Sequence, residues 1–185
     1  AAMALWKIGK DAAPALIQAF QDQDEDVRGS VASVLGSIRE GAKDAVPALI
    51  LLLQDQDNGV RGSAVHALGM IGSVDAVPAL IQALQDQWVS VRGYAAKALG
   101  QIGTPDAIKV AVPALIQSLQ DAEGYVRLHA AGALGDIGGG AVDAVPALIQ
   151  LLQEEGWMVR SNAAEALGKI GTSEALKAVE EYQSP

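Results

Sequence analysis

Cysteine is absent from the 185 residues. That removes disulfides, thiolate metal sites and cysteine nucleophiles from consideration, and it fits a cytoplasmic location. Aromatic residues make up only 4% of the chain. Basic residues are also scarce, 13 against 22 acidic ones, for a net charge of −9. An acidic balance opposes a nucleic-acid or anionic-membrane partner, since both require a basic surface. No uninterrupted apolar run reads as long enough to cross a bilayer, and no charged-then-apolar leader is seen. The chain opens within a repeat and without an initiator Met, so it reads as a segment of a longer protein.

What is abundant is small and aliphatic: half of the residues are apolar, mostly Ala, Leu, Val and Ile. They recur at a fixed period. Pro14, Pro47, Pro78, Pro113 and Pro146 are spaced by 33, 31, 35 and 33 residues. Arg28, Arg61, Arg92, Arg127 and Arg160 follow, each 14 residues after its proline, and a Leu-Gly pair comes seven and eight residues after each arginine. A period in this range is the signature of a solenoid. The expected fold is all-α, an α-solenoid of antiparallel helix pairs. The repeats read as 11–41, 42–72, 73–103, 104–140 and 141–171. A partial repeat over 1–10 precedes them, and a capping helix over 172–185 follows. In the partial repeat Leu5 and Ile8-Gly9 match the pattern, while Trp6 stands where other copies carry Gly and reads as a lid or an ordinary half-exposed Trp.

Within each repeat, helix A is expected to open on an Asp N-cap (Asp44, Asp75, Asp143) with Pro in its first turn. Helix B is expected to run from just before Arg to an Ile-Gly C-cap, except in repeat one, where Arg39 replaces Gly. Thr104-Pro105-Asp106 predicts an early start for helix A of repeat four, with a kink near Pro113. Thr172 to Lys177 has the same opening, and the polar residues after it suit a capping helix with a wet outer face.

The pattern DAVPALI…D…VRxxAAxALGxIG resembles the HEAT-like repeats of the phycobilisome-lyase type, over nearly the whole chain. That resemblance implies a right-handed superhelix with helices A on the convex side and helices B on the concave side, where partners bind. It defines a scaffold rather than an activity.

The same division follows from helical geometry. With each arginine at 0° and about 100° per residue, the constantly apolar positions of helix B fall in one arc, from about 240° to 40°. The positions that vary from copy to copy fall in the opposite arc, which stacking does not dictate. Small or polar residues occupy this variable face in repeats one and two, and large amphipathic ones in repeats three to five. The expected partner-binding residues are Trp88, Tyr94, Lys97, Tyr125, His129, Trp157, Met158 and Asn162, since Tyr and Trp are common interface anchors. The competing reading tucks these aromatics locally against the turns between helices.

The arginines lie inside the apolar arc, and a buried guanidinium needs a partner. An acid stands six residues before each: Asp22, Asp55, Asp86, Asp121 and Glu154. Arg28, Arg61, Arg92, Arg127 and Arg160 with these acids read as a structural ladder, formed either within repeats or between them.

Nothing in the sequence suggests a catalytic group, a metal site or a cofactor. His66 and His129 lie two repeats apart, roughly 20 Å at about 10 Å per packed helix, too far to share a metal. The run Gly138-Gly139-Gly140 lacks the strand and the GK[ST] of a phosphate loop. The expected function is a non-catalytic interaction scaffold for a protein or peptide. The alternatives are an accessory or chaperone-like subunit of a bilin lyase and, against the charge, nucleic-acid binding. The expected state is a monomer whose exposed ends can stack end to end.

Overall fold

The computed structural model describes residues 12–184, and the chain there is an all-α solenoid. The partial repeat over 1–10, with its Leu5, Trp6 and Ile8-Gly9, lies outside the described residues. The first A helix, α1, is helical over residues 12–18. The later A helices are α3 (Val46–Leu52), α5 (Val77–Ala83), α7 (Pro105–Ser118) and α9 (Val145–Leu151). The B helices are α2 (Glu25–Ile38), α4 (Asn58–Ile71), α6 (Val89–Gln101), α8 (Gly124–Ile137) and α10 (Trp157–Ile170). A final helix, α11 (Ser173–Gln183), packs on α10 and α9.

Two leucines per repeat anchor the core. Leu49, Leu80, Leu115 and Leu148, two residues after the proline, are fully buried. So are Leu35, Leu68, Leu99, Leu134 and Leu167 from the Leu-Gly pairs. Burying each contributes roughly 2 kcal/mol, and together they run as one core through every repeat.

Glycine sets the spacing of the B layer. A Cβ built on Gly36, Gly69, Gly100 or Gly135 would lie 2.7–3.0 Å from the Cα of Ala67, Ala98, Ala133 or Ala166 in the next helix B. Backbones that close can meet only without a side chain between them. Each B helix therefore packs along the next one, whereas successive A helices touch sparingly. A stack whose one layer is spaced more tightly bends toward that layer, so the B helices take the concave side.

One expectation needs correction. Asp44, Asp75 and Asp143 are not N-caps. They lie in 3₁₀ turns (Arg39–Ala45, Val74–Ala76, Gly138–Ala144), and the A helices start after Ala45, Ala76 and Ala144 with no side-chain cap. The chain is already wound when it reaches Pro, so fewer backbone N–H groups there need a side-chain acceptor. Helix α7 takes Thr104 as its N-cap, as expected, with Thr104 Oγ1 accepting from the Ala107 N–H at 3.3 Å, and it continues through Pro113. The stretch Gly124–Leu151 has the length and mean hydropathy of a membrane span, although Arg127, Asp136 and Asp143 interrupt it. It is two helices of successive repeats, bent at Gly138 (φ 65°) and Ala141 (φ −109°, ψ 28°). Its Val126, Leu134, Val145 and Leu148 are buried against neighbouring helices.

The end of α2 carries strain. Arg39 has φ 56° and ψ −128°, nearly the conformation of Gly138 at the same place in repeat four (φ 65°, ψ −131°). Side chains other than glycine rarely occupy this region. Arg39→Gly is therefore expected to raise stability by about 1 kcal/mol, as a higher midpoint in urea unfolding.

Candidate functional site

The ladder spans repeats. Arg28, Arg61 and Arg92 each grip an aspartate of the following repeat with two parallel bonds. Nε reaches Oδ2 of Asp55, Asp86 and Asp121 at 2.7 Å, and Nη2 reaches Oδ1 at 2.9–3.0 Å. Nη1 turns the other way and donates to two carbonyls of its own repeat's lead turn, such as Asp55 and Gln56 for Arg61, at 2.9 and 3.1 Å. The aspartate's Oδ1 also accepts the backbone N–H two residues on, as Asp86 does from Trp88 at 2.8 Å. Each arginine thus ties two turns to each other.

These contacts set the ionisation of the acids. Hydrogen bonds from Arg28 hold Asp55 below its ordinary value against the opposing effect of burial. Burial is the largest influence on Asp86 and Asp121 and pushes them up. Bonds from Arg61 or Arg92 and from a backbone N–H outweigh it, and both are lowered. The same pairs raise Arg28, Arg61 and Arg92.

The fourth rung is weaker. Arg127 reaches Glu154 through a single bond, Nη2 to Oε2 at 3.1 Å, and its buried Nε has no partner. The extra methylene of Glu moves the carboxylate out of the two-bond register. Glu154→Asp is expected to restore it and to stabilise by about 1 kcal/mol, seen as a raised melting temperature. The Asp22 carboxylate accepts only from the Asp24 N–H, at 3.0 Å, and Arg160 has no carboxylate partner, both among the described residues.

On the concave side the large residues of the variable face are exposed rather than buried in the repeat core. Tyr94 is 41%, Tyr125 43%, Trp88 49% and Trp157 68% exposed, and Met158 is also open. The rings nevertheless rest on something. Tyr94 covers Gly62 of the previous helix B, 3.6 Å from where its Cβ would be. Tyr125 and His129 cover Gly93 in the same way. Those glycines belong to the variable face yet are buried. One side of each ring therefore seals a helix backbone, not a turn between helices, and the other faces solvent.

Tyr125 and His129 meet edge to face, with centroids 4.5 Å apart and planes at 75°. Burial raises Tyr125, and neighbouring Tyr94 adds to it. Burial lowers His129, with the Lys97 charge a lesser cause. The fold thus gathers Tyr94, Lys97, Tyr125 and His129. Asn162, Trp157 and Met158 lie one repeat further on, where Asn162 Nδ2 donates to the Met158 carbonyl at 3.0 Å. Trp88 sits at the N-terminus of α6, to one side of this group.

A concavity adjoins this group. A groove of about 520 Å³ crosses α2, α4 and α6. Ser33, Asn58, Ser63 and His66 line it, and Tyr94 and Lys97 stand at its far wall. A search for anchor side chains passes over these small residues. The signal was the smallness itself: Gly59 and Ser63 leave space where repeats four and five carry Tyr125 and His129, or Met158 and Asn162. No group of three or more His, Asp or Glu suited to a metal occurs among the described residues.

A family model described as HEAT repeats matches residues 1–58, 13–93, 46–113 and 112–184. No curated protein matches the chain. Among solved structures, the CpcE–CpcF complex of phycocyanin lyase from Nostoc sp. PCC7120 is similar at 27% identity and a TM-score of 0.70, covering 84% of this chain and 98% of that one. An engineered protein is similar at 27% identity and a TM-score of 0.69, covering 92% and 84%. A designed armadillo repeat protein in complex with the peptide (KR)4 shares the fold at 23% identity and a TM-score of 0.66, covering 91% and 87%.

Proposed function

This chain belongs to the HEAT repeat family, and on that premise we propose that it is a non-catalytic scaffold that holds a protein or peptide on its concave helix-B face. The observation that carries the reading is the pairing of a polar groove over α2, α4 and α6 with an exposed aromatic rim at Tyr94 and Tyr125. A groove gives room for a main chain. Aromatic rings with one free face give contact area at little cost in rotamer entropy. The rim is pre-ordered, because each ring is already seated on a glycine of the previous repeat. The partner extends from the groove across Tyr94, Lys97, Tyr125 and His129 toward Trp157, Met158 and Asn162, with Trp88 at the edge. The likeness to a designed repeat protein bound to a peptide supports the fold's capacity for such binding. The acidic chain favours partners without strong negative charge.

The test is selection of binders from a random peptide library on the immobilised chain, followed by affinity measurements on variants. Tyr94→Ala and Trp157→Ala are expected to leave the circular dichroism spectrum and melting temperature nearly unchanged and to weaken selected peptides by about tenfold or more. Selected peptides that bind both variants as tightly as the parent would place the site elsewhere.

A second reading, an accessory subunit of a bilin lyase, is favoured by one observation, the likeness to the CpcE–CpcF complex over nearly all of that chain. Co-purification of bilin-bearing proteins, lost in Tyr94→Ala, would support it.

A further inference from the structure

The groove over α2, α4 and α6 is lined without a single carboxylate, in a chain that carries 22 acidic residues. Its walls offer the hydroxyls of Ser33, Ser63 and Ser90, the amide of Asn58, the imidazole of His66 and, on α6, the ammonium of Lys97. Lys97 is exposed and pairs with no carboxylate among the described residues. Lys169, on the variable face of α10, shows what such a lysine does when acids are within reach. It holds Asp136 at 3.1 Å and Glu165 at 2.8 Å. A concavity continuous with the groove through Ser33, Gly59 and Ser63 carries Glu25, Asp26 and Asp57. Those charges repel an anion from the α2 end and leave the α6 end as its place. Lys97 also marks the middle of the concave path. The groove lies to one side of it, and Tyr125 and His129 on α8 and Trp157 and Met158 on α10 lie to the other.

We propose that Lys97 receives the side-chain carboxylate of one Asp or Glu within an extended segment of the partner protein. The assignment rests on the concave-face reading and specifies the chemistry of its partner. A segment that fills the groove and reaches the aromatic rim passes Lys97 in mid-course, so the carboxylate belongs to an internal residue and not to a chain end. Residues on the groove side of that acid are small or polar, to match walls of hydroxyls, an amide and an imidazole. Residues on the other side are large and apolar, to meet the exposed rings of Tyr125 and Trp157. An extended chain crosses the roughly 10 Å between neighbouring B helices in about three residues, so the first apolar residue lies about three places from the acid. A carboxylate fits better than a phosphate. Phosphate sites favour arginine forks, whereas the groove presents one lysine and no arginine in a chain of net charge −9. The same net charge keeps the rest of the segment neutral or basic.

The test pans one random peptide library, displayed on phage, against the immobilised full chain and against its Lys97→Glu variant in parallel. Peptides taken by the parent are expected to share an Asp or Glu with apolar residues to one side of it. Those taken by Lys97→Glu are expected to carry Lys or Arg at that place beside the same neighbours. A parent-selected peptide, fluorescein-labelled, is then titrated by anisotropy. Lys97→Gln in the chain and the acid-to-amide change in the peptide should each weaken binding about fivefold. Together they should cost no more than either alone, because they remove one contact. Circular dichroism should not change, since Lys97 is exposed. Peptides that share no acid, or that Tyr94→Ala weakens while Lys97→Gln and Lys97→Glu do not, overturn this proposal and leave the concave-face reading standing. A library that yields no binder sensitive to Tyr94→Ala overturns both. Phosphoserine at the acidic place that binds about tenfold more tightly also overturns the proposal, by making a phosphate the group that Lys97 takes.

Discussion

Arg61→Ala is expected to lower the unfolding free energy by about 3 kcal/mol, well beyond the loss of an ordinary surface charge. Arg61 is the most enclosed guanidinium of the ladder, its side chain 7% exposed against 12% for Asp86. The substitution leaves Asp86 without its two strongest donors. It also strips the carbonyls of Asp55 and Gln56 of theirs. A partly buried carboxylate without a counter-charge is the expensive product, more than the lost attraction itself. Urea unfolding of both proteins at pH 7 measures the difference, and coincident midpoints would remove the ladder from the stability account.

Acid changes that difference in a defined direction. The folded state holds Asp86 below its unfolded value of 3.8. Its contribution is therefore complete above that value and is lost as pH falls through the lower, folded one. Arg61 stays charged throughout. The gap between parent and Arg61→Ala should thus narrow as pH is taken from 7 to below 3.8. Asp55 and Asp121 are lowered in the same sense, so the parent itself should lose stability steeply in this range.

Gly100→Ala and Gly168→Ala are expected to have opposite signs. In an exposed helix, Gly to Ala stabilises by about 1 kcal/mol through backbone entropy. Gly168 meets that condition, with open space around it. At Gly100 the added Cβ would stand 2.7 Å from the Cα of Ala133 and 3.1 Å from its carbonyl oxygen. Those are backbone atoms and cannot swing aside, so α6 and α8 must separate. The overpacking cost of about 1–3 kcal/mol then exceeds the propensity gain, by about 1–2 kcal/mol net. Thermal melts of the two variants should move in opposite directions from the parent. Equal shifts would mean that the B helices are not held at the spacing their glycines permit.

Much of the fold was legible because repetition averages out local ambiguity. A single Leu-Gly pair says little, but five in register place Leu35, Leu68, Leu99, Leu134 and Leu167 on one buried line. The candidate site was legible only in part. Tyr94 and Tyr125 stood out as large residues at variable positions, and they are exposed there. The groove beside them did not stand out, because Gly62 and Ser63 contribute to it by what they omit. Asp44, Asp75 and Asp143 misled because an acid before Val-Pro has the composition of an N-cap, while the backbone had already begun a 3₁₀ turn.

By itself the sequence determined the period, the two helices of each repeat, which side of helix B faces the core, and that each arginine needs an acid. Those properties are periodic along one chain, and helical geometry converts spacing into direction. Only the tertiary structure decided that Arg28, Arg61, Arg92 and Arg127 take their acids from the next repeat and their carbonyls from their own. It also decided that the rings rest on the previous repeat's glycines. These are matters of distance between helices about 10 Å apart. A separation of some thirty residues is the same number whether the two ends touch or not.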